Sequence, residues 1–139
     1  MRIILLSLMA FFIAVCAHAG EVSSVDFNGK WRNDMGSELV FVVKDGLVSG
    51  RYNTNVGEPE NSKSFPLNGQ VDGDQIVFTV NFKGFRSMTA WVGQLTLGAD
   101  NKPYLRTLWH NTKDIEDAKE KDDIWGSIRT GASEFQRVK

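Results

Sequence analysis

An all-β domain, an eight-stranded antiparallel up-and-down β-barrel, is the fold class that the sequence predicts. Three observations carry it. Turn signals recur about every ten to fifteen residues from Gly29 onward, the runs between them alternate apolar with polar side chains, and one stretch alone, almost wholly charged, could be helical. The links are too short for crossover helices, so consecutive runs pair antiparallel. Closing them into a barrel removes the two edges that an open sheet would expose. A two-sheet sandwich is the alternative this pattern leaves open.

Residues 1–19 precede that domain. Arg2 supplies a positive start, residues 3–15 are an apolar run broken by Ser7, and Ala17-His18-Ala19 is a small-x-small cleavage site before Gly20. This reads as a signal peptide and predicts a secreted or periplasmic protein. The run is too short to span a bilayer, and no later segment approaches the ~18 apolar residues of a spanning helix. Lipidation of Cys16 is the competing reading; Val15 opposes it, being bulky where such sites take a small residue. Residues 20–28 form a polar leader, and residues 29–139 form the barrel domain.

The strands fall at residues 29–33, 38–44, 47–54, 64–71, 75–82, 87–97, 104–111 and 124–138. Asp45-Gly46 and Asp72-Gly73 are tight-hairpin signals between alternating runs, and residues 99–102 make a further turn. Residues 112–123 are almost wholly charged and lack an apolar stripe, which makes them a solvated loop or one short turn.

Composition excludes several function classes. Sixteen Lys+Arg against seventeen Asp+Glu give a formal charge of −1, so no single-sign field recruits nucleic acid or an anionic membrane. Cleavage after residue 19 of 139 leaves 120 residues, without cysteine and with His110 as the one histidine. Thiol catalysis, disulfides, cysteine-ligated zinc and a multi-histidine metal site are thereby excluded. No Gly-x-Ser-x-Gly elbow and no phosphate-cradling glycine loop occurs. A hydrolase using carboxylates of residues 114–123 is the enzyme reading that remains, and interspersed lysines in a solvated loop argue against it.

Splitting each strand by parity assigns an inner face. It takes Val48, Gly50, Tyr52, Thr54 and Val56 from the third strand and Ile76, Phe78, Val80 and Phe82 from the fifth. The sixth gives Thr89, Trp91, Gly93, Leu95 and Leu97, and the seventh Leu105, Thr107, Trp109 and Asn111. Hydroxyls and amides thus share the interior with aromatics. Each such group buried without a partner costs ~1 to 3 kcal/mol. Either they satisfy one another and buried water, or they line a pocket for a ligand with an apolar body and a polar head.

The motifs in chain order are Gly29-Lys30-Trp31-Arg32-Asn33-Asp34-Met35-Gly36-Ser37, Gly50-Arg51-Tyr52-Asn53-Thr54-Asn55-Val56-Gly57, Thr89-Ala90-Trp91-Val92-Gly93-Gln94, Leu105-Arg106-Thr107-Leu108-Trp109 and Trp125-Gly126-Ser127. In this order and spacing they resemble the avidin and streptavidin family of biotin-binding proteins over essentially the whole barrel domain. The resemblance implies a non-enzymatic protein that sequesters biotin in the open end of the barrel, without a catalytic cofactor or metal. It implies that Asn33, Ser37 and Tyr52 donate to the ureido oxygen and that Thr54 accepts from one ureido N–H. Ser133 falls where the family places Asp or Asn against the other N–H, and a neutral, shorter acceptor there weakens the bond.

By the same resemblance Thr89 meets the ring sulfur, and Trp91, Trp109 and Phe82 wall the bicycle and acyl chain, Phe82 standing where Trp is common. Trp125 matches a tryptophan lent to a neighbouring subunit, which implies a homo-oligomer, a tetramer of paired dimers. Ser87 is a contact for the carboxylate, and Met35 and Val56 complete the ligand-facing set. Asn111 replaces an apolar wall residue, and Glu58 places a carboxylate where the ligand's tail would meet repulsion. These departures motivate the alternative of an avidin-like or lipocalin-like barrel retuned to another small ligand or peptide. Residue chemistry alone gives plainer readings: Asn33 and Ser37 suit a turn, Tyr52 could bond a backbone carbonyl, Trp31 plugs the closed end, Trp125 could pack within its own subunit, and His110 points outward.

Overall fold

Side-chain alternation along the chain resolves, in the computed structural model, into eight strands paired in sequence order. Residues 26–55 and 64–139 are described. The signal segment, residues 20–25 of the leader, Val56 and Glu58 lie outside the described residues. The strands are β1 (Gly29–Asn33), β2 (Glu38–Lys44), β3 (Leu47–Asn53), β4 (Ser64–Asp72), β5 (Gln75–Phe82), β6 (Ser87–Leu97), β7 (Pro103–Lys113) and β8 (Ile128–Arg137). Each pairs antiparallel with the next, and β1 pairs with β8 through Trp31↔Arg137, Arg32↔Gln136 and Asn33↔Phe135, which closes the barrel and excludes the sandwich. Among the described residues no helix is long and apolar enough to cross a membrane.

Local chemistry sets the turns. Asp45 and Gly46 both take positive φ, 52° and 76°, the conformation a two-residue hairpin needs to match strand twist. One end of the barrel is shut by Phe27 and Trp31, both buried. The Trp31 indole N–H donates to the Phe27 carbonyl at 2.9 Å, and the Arg137 guanidinium lies 4.6 Å from the Trp31 ring centroid. Above this plug Leu39, Phe41, Leu67, Phe78, Val80, Leu105 and Phe135 fill the interior. At about 2 kcal/mol per fully buried large side chain, this lower half supplies much of the barrel's stability.

Three expectations need correction. The last strand begins at Ile128, not at residue 124; residues before it form a one-turn helix, α2 (Ile124–Ser127), after another single turn, α1 (Asp117–Glu120). Asp123 caps α2, its carboxylate accepting from the Gly126 N–H at 2.8 Å, and that cap outweighs the strand propensity of Ile124 and Trp125. The seventh strand extends two residues further at its C-terminal end, to Lys113, because β6 is long enough to pair Met88 with Thr112 and Ser87 with Lys113. Leu97, placed on the inner face by parity, is exposed: it sits at the very end of β6, opposite Pro103 and past the plugged end.

Candidate functional site

The end of the barrel opposite the plug opens into a cavity of about 580 Å³, within the range of small-molecule sites. Cross-strand register positions the residues that line it from β6 to β8, Ser133, Trp91, Trp109, Thr89, Asn111 and Arg129, within three rows. Ile76, Gly93, Thr107 and Ser133 form one row across β5 to β8; Phe78, Trp91, Trp109 and Gly131 form the next; Val80, Thr89, Asn111 and Arg129 form a third, nearer the mouth. Because the pleat repeats every two residues, all three rows share the inner face.

Gly131 is required where it stands. A Cβ there would lie 2.3 Å from Trp109 Cζ2 and 2.7 Å from Cε2, so the indole lies directly over the glycine backbone. Trp91 in turn stacks on Phe78, with centroids 4.9 Å apart and planes 6° from parallel, and leans on Tyr52 at 5.3 Å. Tyr52 meets Phe82 edge-on at 5.9 Å, Phe82 meets Phe65 at 5.0 Å, and Phe65 meets Phe85 at 5.9 Å. A continuous aromatic chain therefore runs from the core to the mouth, each contact favouring the ring orientation it has. The Trp91 Nε1 is the one buried side-chain polar atom without a partner among the described residues.

Polar groups gather around Tyr52 in this wall. Asn33 ends β1, Ser37 precedes β2 and Tyr52 lies near the end of β3; all three are buried. The turn between β1 and β2 is fixed by reciprocal backbone bonds, Asn33 N–H to Ser37 O at 2.9 Å and Gly36 N–H to Asn33 O at 3.0 Å. The Ser37 N–H donates to Asn33 Oδ1 at 2.8 Å, which turns the Asn33 NH₂ away from the turn. Ser37 Oγ accepts from the Asn55 N–H at 3.0 Å, leaving its hydroxyl proton to donate elsewhere. Ser37 and Asn33 both hydrogen-bond the Tyr52 hydroxyl, and burial raises the Tyr52 pKa above that of an ordinary phenol despite these bonds. Tyr52 is thus a neutral donor at physiological pH. An amide and two hydroxyls thus form one connected group, in which the Tyr52 hydroxyl proton and an Asn33 N–H remain to meet a polarised carbonyl oxygen.

Most residues expected from the sequence meet at this cavity. Asn33, Met35, Tyr52, Thr54, Phe82, Ser87, Thr89, Trp91, Trp109, Asn111 and Ser133 line it, Met35 at the exposed rim. Ser37 stands behind Asn33 and Tyr52 instead of on the wall. Ser133 is buried, with its carbonyl accepting from Thr107 Oγ1 at 2.9 Å. Asn111 Nδ2 donates to Ser87 Oγ at 2.8 Å and to Thr89 Oγ1 at 2.7 Å. Trp125 does not line the cavity of its own chain and is 79% exposed on α2. His110 is exposed on the outer face, and the carboxylates of residues 114–123 lie outside the cavity lining.

Sequence reasoning missed Phe65, Phe85 and Arg129, which also line the cavity. Phe65 pairs with Tyr52 and had a signal in strand parity. Arg129 shares the parity of Gly131 and Ser133, and its charge obscured its position. Phe85 lies in a turn, where alternation says nothing.

Residues 21–138 match the Avidin family model. Avidin of Gallus gallus is 30% identical over 144 residues, covering 97% of this chain and 93% of avidin. Avidin-related protein 1 of Gallus gallus is 29% identical over 140 residues, covering 96% of this chain and 91% of its own. Among solved structures, the crystal structure of xenavidin aligns with a TM-score of 0.71 at 30% identity, over 83% of this chain and 99% of that one. The X-ray structure of a biotin binding protein from chicken aligns with a TM-score of 0.70 at 31% identity, over 84% and 98%.

Proposed function

The chain belongs to the avidin family, and from that premise we propose that it is an exported protein that sequesters biotin in its own barrel. It is not an enzyme: nothing in the reading requires turnover. The carrying observation is the meeting of Asn33 and Tyr52, with Ser37 bonded behind them, beside an aromatic wall in a cavity of about 580 Å³. The ureido oxygen of biotin is the acceptor these donors suit, with Thr54 and Ser133 accepting from the two ureido N–H groups. The Thr89 hydroxyl faces the ring sulfur, while Trp91, Trp109 and Phe82 enclose the bicycle and the acyl chain. Met35, Ser87 and Asn111 stand nearer the mouth, and Val56 completes the set. Biotin is held as cargo and no catalytic cofactor is involved.

The working form is a homotetramer. Val77, Val92, Leu108 and Ala132 form a single row across the outer face of β5 to β8, with Val92 and Leu108 63% and 65% exposed. Polar rows flank it, Gln75–Gln94–Arg106–Glu134 on one side and Thr79–Ala90–His110–Thr130 on the other. An apolar band with a polar border on a sheet face suits a second copy related by a two-fold axis. Trp125, large and exposed, is offered to a neighbour's cavity. Export rests on Arg2, the apolar residues 3–15 and Ala17-His18-Ala19. Native mass measurement of the mature protein with and without biotin tests subunit number and ligand stoichiometry together: four chains with four biotins is expected, and a folded protein that retains no biotin would refute the reading.

A further inference from the structure

The barrel domain holds no cysteine, so its oxidisable sulfurs are the thioethers of Met35 and Met88. The two residues are exposed alike, 54% and 51%. They differ in place. Met35 carries the one sulfur among the described residues that line the cavity, whereas Met88 stands on β6 between Asn81 and Thr112, in the outward parity and outside that lining. A small dissolved oxidant reaches both; a ligand in the cavity meets Met35 alone.

The turn that carries Met35 is held in place. Asn33 N–H donates to Ser37 O at 2.9 Å, Ser37 N–H donates to Asn33 Oδ1 at 2.8 Å, and Ser37 Oγ accepts from the Asn55 N–H at 3.0 Å, which ties the turn to the chain beyond β3. The Met35 backbone is therefore fixed, and its side chain, flexible in itself, stays at the rim. A thioether there suits the apolar part of a ligand. Its sulfoxide is strongly polar, and a ligand that covers it takes the S=O dipole out of water without supplying a donor.

We infer that Met35 is a modification site at which hydrogen peroxide oxidises the thioether to the sulfoxide and thereby loosens the hold of the cavity on its ligand. The inference rests on the biotin reading and adds to it a release that depends on oxidant. The sulfur lone pair attacks one oxygen of the peroxide, and the S–O bond forms as the O–O bond breaks. Sulfur gives up two electrons, and the departing hydroxide takes the proton of the transferred oxygen and leaves as water. Bound biotin covers Met35, so it slows oxidation there and leaves Met88 as reactive as before.

Treating the full mature protein with hydrogen peroxide, with and without saturating biotin, tests this: peptide mass measurement reads each methionine and stopped-flow displacement reads biotin dissociation. Without biotin both methionines should gain one oxygen at similar rates, and with it the gain at Met35 should slow several-fold while that at Met88 does not change. Dissociation from the oxidised protein should be about three- to thirtyfold faster. Methionine sulfoxide reductases A and B together, one for each sulfoxide epimer, should restore the original rate. Met35→Leu should keep its own dissociation rate through the treatment, whereas Met88→Leu should be loosened as the wild type is. Oxidation of Met35 that leaves dissociation unchanged, a Met35 that resists peroxide while Met88 reacts, or a Met35→Leu protein loosened as much as the wild type overturns the assignment while leaving biotin binding standing. Untreated protein that binds no biotin removes the biotin reading and this inference with it.

Discussion

Substituting Gly131 by alanine isolates one contact, because the glycine needs no special backbone conformation and the added methyl group meets a single rigid ring. An Ala Cβ would sit 2.3, 2.7 and 2.9 Å from three carbons of the Trp109 indole. Ordinary carbon contacts are about 3.5 Å or more, so the ring must move by roughly 1.2 Å. It cannot move into the packed strand behind it, but the cavity on its other face is empty enough to receive it. The cost of overpacking, ~1 to 3 kcal/mol, should therefore appear mainly as lost ligand affinity, a factor of about 5 to 150 in Kd, with little change in the melting temperature of the empty protein. Titration calorimetry with biotin and thermal unfolding without it measure the two separately. Trp109→Phe made in the Gly131→Ala background should cost less than the two changes summed, as coupled neighbours do. Unchanged biotin affinity in a folded Gly131→Ala protein would refute the claim that Trp109, positioned by Gly131, walls the ligand site.

Further outcomes follow from the other walls. Tyr52→Phe should weaken biotin by ~1 to 3 kcal/mol through the loss of one donor, read by calorimetry. Burial raises the Tyr52 pKa, so the stability of its neutral form is fully present below the ordinary phenol value of about 10 and is lost as pH rises through the higher folded value; biotin affinity should be level through neutral pH and fall only in that alkaline range. Ser133→Asp should supply a charged acceptor of longer reach, tightening biotin by ~1 kcal/mol while destabilising the empty protein, and so enlarging the melting-temperature rise on adding biotin. Trp125→Ala should speed biotin dissociation without unfolding the barrel, as stopped-flow displacement would register.

The fold was legible because alternation and turns are local signals that the tertiary structure did not override. Asp45-Gly46 shows this: a two-residue sequence signal became a hairpin with both residues at positive φ. The boundary error at 124–127 has the opposite cause. Ile124 and Trp125 favour strand, but the Asp123 side chain reaches the Gly126 N–H and closes a helical turn, a competition between propensity and one hydrogen bond that composition does not rank. In the site, strand parity placed Trp91, Trp109, Thr89 and Asn111 on the inner face without any knowledge of register. Parity could not show that Ser37 stands behind Tyr52, that the Trp109 ring needs Gly131 beneath it, or that Asn111 occupies both Ser87 and Thr89. Those facts depend on which strands face one another. The place of Arg129 is hidden for a physical reason as well: a charge on an inner face is ordinarily costly, and only the open rim makes it tolerable there.

The central claim is that the donor group Asn33, Ser37 and Tyr52 and the aromatic wall together form a biotin site. Calorimetric titration of the mature protein with biotin over a range of temperatures tests it most directly. Saturation at one biotin per chain is expected, with a negative heat-capacity change from burial of the bicycle and acyl chain against Trp91, Trp109 and Phe82. A folded barrel that gives no heat of binding at any of those temperatures, and no rise in melting temperature with excess biotin, would contradict it.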